Sequence, residues 1–153
     1  MQTNHIHMIV EVDGSELEPK GLPATKTPTL EDLAKRALSK TMKSFGVRTA
    51  RALNACWGRE GEVWKERYHV VVITVPFQMK VALQYVLHNG HKHKVCRTRI
   101  DPCSSGPYFE FWERPILPPP EPREEWPVQA PRTWLAAVGW KRHGLIPFPR
   151  TAE

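Results

Sequence analysis

Thiols are scarce in this chain: Cys56, Cys96 and Cys103 are the only three, and none stands in a CxxC pair. An odd number without that spacing argues against a disulfide framework and against a cysteine-based zinc site, and it fits a reducing cytosol. Long apolar runs are missing too. No segment approaches the ~18 to 20 apolar residues that span a bilayer, and no basic stretch leading into an apolar one opens the chain. Acidic residues are outnumbered, 16 Asp and Glu against 22 Lys and Arg, and the resulting formal charge of +6 suits a polyanionic partner without requiring one. Repeats are absent. The 153 residues, 41% of them hydrophobic, lead us to expect one domain with a real core, followed by a tail.

The stretch NHIHMIVEV, residues 4–12, alternates polar and apolar side chains as a strand does. Side chains two apart on a strand share a face, so His5 and His7 stand together with Cα atoms ~6.5 to 7 Å apart. Two imidazoles at that separation can share one metal ion, and they serve equally well as a solvated polar face. A loop rich in Gly, Pro and Thr follows, closed by Thr29 as a helix N-cap with Asp32 three residues on. Leu30, Leu33, Ala37, Leu38, Met42 and Phe45 recur at helical spacing, and Ala50 and Leu53 carry the pattern past Gly46. The opposite face presents Lys35, Arg36, Lys40, Lys43, Arg48 and Arg51, a cationic stripe suited either to solvent or to a phosphate backbone.

After a glycine turn flanked by Trp57 and Trp64, both read as core packing, the β-branched run at 68–75 predicts a buried strand. Pro76 ends it and opens a helix that runs to Gly90, with Tyr85 and Asn89 four apart on one face. His88, His91 and His93 read as part of a basic, DNA-facing loop with Lys92 and Lys94 rather than as a metal cluster. SSGP at 104–107 is a turn signal. From Pro115 to Pro131 seven prolines make a stiff linker, and the short helix in RTWLAAVGW is expected to pack back through Trp134, Leu135 and Trp140.

Taken together, the blocks NHIHMIVE, ARALNACWGREGEVWKERYH, YVLHNGHKH, DPCSSGP and RTWLAAVGWKRHGL resemble the REP-associated single-tyrosine transposases, a group of HUH endonucleases. The resemblance runs from near Thr3 to near Leu145 and keeps the family's order of motifs. It implies an α+β, ferredoxin-like domain with an antiparallel sheet over residues 1–100, then a proline-rich tail with a short helix over 101–153. It implies Tyr85 as nucleophile, His5, His7 and Asn89 as ligands of a divalent metal, Mg²⁺ or Mn²⁺, and single-stranded or hairpin DNA as substrate. Lys35, Lys40, Lys43, Arg48, Arg51, Lys92 and Lys94 would then contact DNA, and the expected setting is the bacterial cytoplasm at the nucleoid, with no membrane partner.

The chain departs from the family at its start, where Met1 stands only four residues ahead of His5 and the usual strand, helix and strand are not present. A start codon placed too late, a decayed gene, or a shortened protein that completes its sheet with another chain would each account for this. The expectation that follows is an N-terminally truncated sheet with an open edge beside the metal strand, prone to self-association. The alternative function is a catalytically inactive or domesticated DNA-binding protein.

Overall fold

The computed structural model describes residues 6–12, 29–116 and 128–149. His5, the loop at 13–28 and the linker prolines Pro118, Pro119, Pro120, Pro122 and Pro127 lie outside the described residues. Two compact units result, one made of Met1–Glu11 with Val72–Glu153, the other of Val12–Val71.

The Val12–Val71 unit is built on helix α1, Leu30–Trp57. Its start is a capping box: the Thr29 hydroxyl accepts from the Asp32 backbone N–H at 3.2 Å while the Asp32 carboxylate accepts from Thr29 N–H, also at 3.2 Å. Glu31 and Asp32 in the first turn complement the positive end of the helix dipole. At the other end Gly58 takes the left-handed conformation, φ 58°, that closes a helix at little steric cost. Leu33, Ala37, Leu38, Met42, Phe45, Ala50 and Leu53 are half-buried along one face, and the cations of the opposite face are exposed. Trp64, half-buried, packs on Gly46 and donates its indole N–H to the Gly46 carbonyl at 2.9 Å. Trp57, expected in the core, is 59% exposed instead.

In the other unit, Pro76 supplies the first turn of α2, Pro76–Leu87, where its missing N–H would have had no partner anyway. The helix does not run through to Gly90. His88 leaves helical geometry, φ −96° and ψ 0°, and a separate short helix α3, Asn89–Lys92, follows it. Further on come a 3₁₀ turn at Gly106–Tyr108, the short helix α4, Trp134–Ala137, and a 3₁₀ segment at Gly139–His143. Met79, Leu87, Trp112, Trp140 and Ile146 form the buried core, with Ile9, Ile73, Leu83, Phe109, Phe111 and Phe148 packed against it. The aromatic rings of this core meet edge-on or offset: Phe109 lies edge-on to Trp112, and Phe148 stacks on Trp112 at 5.0 Å. Of the three side chains expected to anchor the tail, Trp140 is 1% exposed and Leu135 packs against the core, whereas Trp134 is half-exposed.

The ferredoxin-like antiparallel sheet is the expectation that fails. No β-strand occurs among the described residues, and the single backbone bridge there, Trp112 with Ile146, is parallel and isolated. The stretches at 6–12 and 68–75 that read as strands show why. Burial alternates from Ile6 to Glu11, with His7, Ile9 and Glu11 inward and Ile6, Met8 and Val10 exposed, so the two-faced pattern is real. Side-chain alternation specifies two faces, but a sheet also requires a second backbone to complete the hydrogen-bond ladder, and no described segment supplies one. The run at 68–75 is not the buried strand its composition suggests, since Val71 and Val72 are 73% and 70% exposed. No described helix is long and apolar enough to cross a membrane.

Candidate functional site

Within the Met1–Glu11 with Val72–Glu153 unit, His7 of the segment at 6–12 and Lys92 of α3 both contact Tyr85 in the last turn of α2. His7 and Tyr85, 78 residues apart in sequence, meet ring to ring: their centroids lie 4.8 Å apart with the planes nearly perpendicular, and the Tyr85 hydroxyl stands 3.5 Å from His7 Nε2. Which of the two donates follows from the imidazole tautomer. Tyr85 is 39% exposed, so solvent reaches part of the side chain. The Lys92 ammonium lies over the Tyr85 ring, 4.8 Å from its centroid.

Asn89 opens α3, and its Oδ1 is buried without a hydrogen-bond donor. A buried amide oxygen left in that state costs roughly 1–3 kcal/mol, which a cation or a ligand donor would recover. An imidazole nitrogen and an amide oxygen are a mixed donor set that suits Mg²⁺ or Mn²⁺, so the residues present fit the divalent metal that the sequence motif implies. Among the described residues no three His, Cys, Asp or Glu side chains converge on a metal position. The sequence motif would assign a cation to His7, Asn89 and His5, the last of which lies outside the described residues.

The floor of the site is fixed. Gly90 is buried, and a Cβ there would collide with the Asp101 carboxylate, so only glycine lets α3 approach the turn at 101–104 this closely. Asp101 is itself held, accepting from Cys103 N–H at 2.9 Å. His88, between Tyr85 and Asn89, is half-buried and held by its neighbours. Its ring lies parallel to Trp112, and its Nε2–H donates to the Pro147 carbonyl at 2.9 Å. His91 likewise donates from Nε2 to the Thr98 carbonyl at 2.7 Å, which leaves its Nδ1 buried and unpartnered.

Glu11 lies four residues beyond His7 in the same segment. Its carboxylate accepts from the backbone N–H groups of Arg132 and Thr133, at 2.9 and 3.0 Å, and from the Thr133 hydroxyl. Thus the segment that bears His7 is tied to the residues just ahead of α4. Lys80 of α2 also donates to the His143 carbonyl, so the stretch after the linker braces both His7 and Tyr85. None of these ties was visible in sequence, since each joins residues more than 60 positions apart. The Lys92 contact had a weak signal, two helical turns after Tyr85, but the break at His88 disguises it.

The cations proposed for DNA divide between the two units. Lys40, Lys43, Arg48 and Arg51 are exposed on α1, where Lys35 also pairs with Glu31 at 2.6 Å. Lys92 and Lys94 are exposed in the unit that holds Tyr85.

Two groups couple this unit to pH. Burial pushes the Glu11 carboxyl up, but the bonds from Thr133 and Arg132 outweigh it and hold the group below its ordinary 4.5. Burial lowers His88 below its ordinary 6.5, the bond to Pro147 working against the shift and nearby His91 adding to it. Both folded values lie below the unfolded ones. The contribution of each to stability is therefore complete above its unfolded value and is lost as pH falls through its folded value. Chemical denaturation at a series of pH values is expected to show stability falling below about 6.5, then again below about 4.5. In Glu11→Gln the second step should shrink.

No family model matches the chain, and neither does any curated protein or solved structure among those compared.

Proposed function

We propose that this protein is a metal-dependent endonuclease and strand transferase for single-stranded, hairpin-forming DNA, with Tyr85 as its nucleophile. The observation that carries the reading is the meeting of His7 and Tyr85 at 3.5 Å across 78 residues of sequence, with the orphaned Asn89 oxygen four residues further along the chain. Tyr85 Oη attacks the phosphorus of a DNA phosphodiester, forming the Oη–P bond as the bond to the 3′ oxygen breaks. The phenolic proton departs to water and the released 3′ oxygen takes one up, so the products are a 5′-phosphotyrosine and a free 3′-hydroxyl. A phenolate is a better leaving group than an alkoxide, so a new 3′-hydroxyl can reverse the step and join strands without an external energy source.

His7 and Asn89, with His5, would hold the cation. When bound, Mg²⁺ or Mn²⁺ supplies charge neutralisation at the phosphate. His7 also orients the phenol by packing edge-on against its ring. The partial exposure of Tyr85 leaves the nucleophile accessible, and the basic balance of the chain favours approach of DNA. The bacterial cytoplasm, at the nucleoid, is the setting such a reaction implies.

A second reading, a DNA-binding protein without cleavage, is favoured by the exposed cations of α1. Hairpin DNA carrying a labelled, randomised single-stranded flank distinguishes the two. Incubation with Mn²⁺ should yield a covalent protein–DNA species that is absent in EDTA. Salt-sensitive binding with no covalent species under any divalent ion would leave only the second reading.

A further inference from the structure

Phosphate cleavage by a tyrosine concentrates negative charge at one place: the phenolic oxygen, the non-bridging oxygens of the phosphate and the departing 3′ oxygen lie within a few ångströms of each other. A fixed cation beside the phenol ring is worth more there than one scattered along the DNA backbone, because it acts on the charge that develops during reaction. Lys92 is in that position. Its ammonium stands 4.8 Å from the centroid of the Tyr85 ring, and it comes from α3, the same short helix that carries Asn89.

The geometry around α3 keeps it in place. Lys92 N–H bonds to the His88 carbonyl at 3.0 Å and His93 N–H to the Asn89 carbonyl at 3.2 Å, while Gly90 is packed against the held Asp101. A lysine on a flexible loop would lose much of its Coulomb energy to side-chain and backbone entropy, and one on a braced turn loses less. The side chain itself is exposed, so it is not needed to fill the core.

We infer that Lys92 is an electrostatic partner of Tyr85: it holds the ring by its face and pairs with the phosphate under attack, then with the phosphotyrosine. This rests on the nucleophile role proposed for Tyr85. It differs from ordinary backbone binding by the cations of α1, which would raise affinity without changing the rate on bound DNA.

Single-turnover adduct formation on the labelled hairpin, together with hairpin affinity by fluorescence anisotropy without divalent ion, tests it in Lys92→Met and Lys92→Arg. For Lys92→Met the adduct rate should fall ~10- to 100-fold while affinity changes less than about threefold, and Lys92→Arg should recover most of the rate. A Lys92→Met rate within about threefold of wild type overturns the inference while leaving Tyr85 as nucleophile. So does a rate loss that saturating DNA restores, which would make Lys92 a binding cation only. Absence of any adduct with the wild-type protein overturns the nucleophile reading itself, and this inference with it.

Discussion

Replacing Tyr85 by phenylalanine is expected to remove the covalent protein–DNA species altogether, a loss of at least ~10³-fold against any realistic detection floor, because no other group can form the same ester at that position. The fold should survive. The phenol hydroxyl makes only a long contact with His7, and the ring, half in solvent, keeps its edge-on packing as phenylalanine. Thermal midpoint and hairpin affinity should therefore stay near wild type while chemistry disappears. Asn89→Ala provides the complementary case. Its oxygen is buried and unpartnered, so truncation should cost little stability and can even raise it, since an unsatisfied acceptor is removed. Yet Mn²⁺ affinity should drop. Outer-shell partners alone are worth ~10- to 100-fold in metal affinity, and removal of a ligand should cost at least that much. An Asn89 that proves costly to stability and neutral to metal would mark it as a packing residue.

The second large effect concerns the core beneath the site. Trp140→Ala is expected to destabilise the Met1–Glu11 with Val72–Glu153 unit by about 3–5 kcal/mol, measured by urea denaturation followed through near-ultraviolet circular dichroism. Trp140 is 1% exposed, lies between Phe109 and Phe111, and donates its indole N–H to the Ala136 carbonyl at 2.9 Å. Truncation loses the apolar burial, opens a cavity and leaves that carbonyl short of a donor. Only five hydrophobic side chains are buried among the described residues, so few neighbours can collapse into the space. Domains of this kind hold only ~5–15 kcal/mol in total, and the variant should be partly unfolded at physiological temperature. A Trp140→Ala protein within about 1 kcal/mol of wild type would show that the aromatic cluster contributes little.

Local signals carried well from sequence to structure. The capping box of Thr29 and Asp32 spans three residues, and Pro76 marks its helix by a property of its own ring, so both were legible without knowledge of the rest of the fold. The period-two alternation of residues 6–11 also held as burial. What failed was pairing. A strand's partner is a distant piece of backbone, and alternation says nothing about whether one is there, so a sheet was expected where the described residues have none. The break at His88 was missed because it is driven by tertiary contacts, the ring on Trp112 and the bond to Pro147, rather than by a helix-breaking residue. The Glu11 tie to Thr133 joins residues 122 apart and leaves no local trace. His5, which would complete the metal set, lies outside the described residues. His7 and Tyr85 were proposed as partners through a motif, and their proximity is a fact of packing that periodicity alone could not supply.

Tyr85 is proposed as the nucleophile of a covalent step on DNA, and the most direct test is peptide mapping by mass spectrometry after wild-type protein reacts with hairpin DNA in Mn²⁺ and the DNA is digested to a residual nucleotide. The expected result is a single modified peptide, with a nucleotide joined through its 5′-phosphate to Tyr85. A nucleotide on Tyr68, Tyr108 or any other residue, or an unmodified digest from a reaction in which the DNA was nevertheless cut, would contradict it.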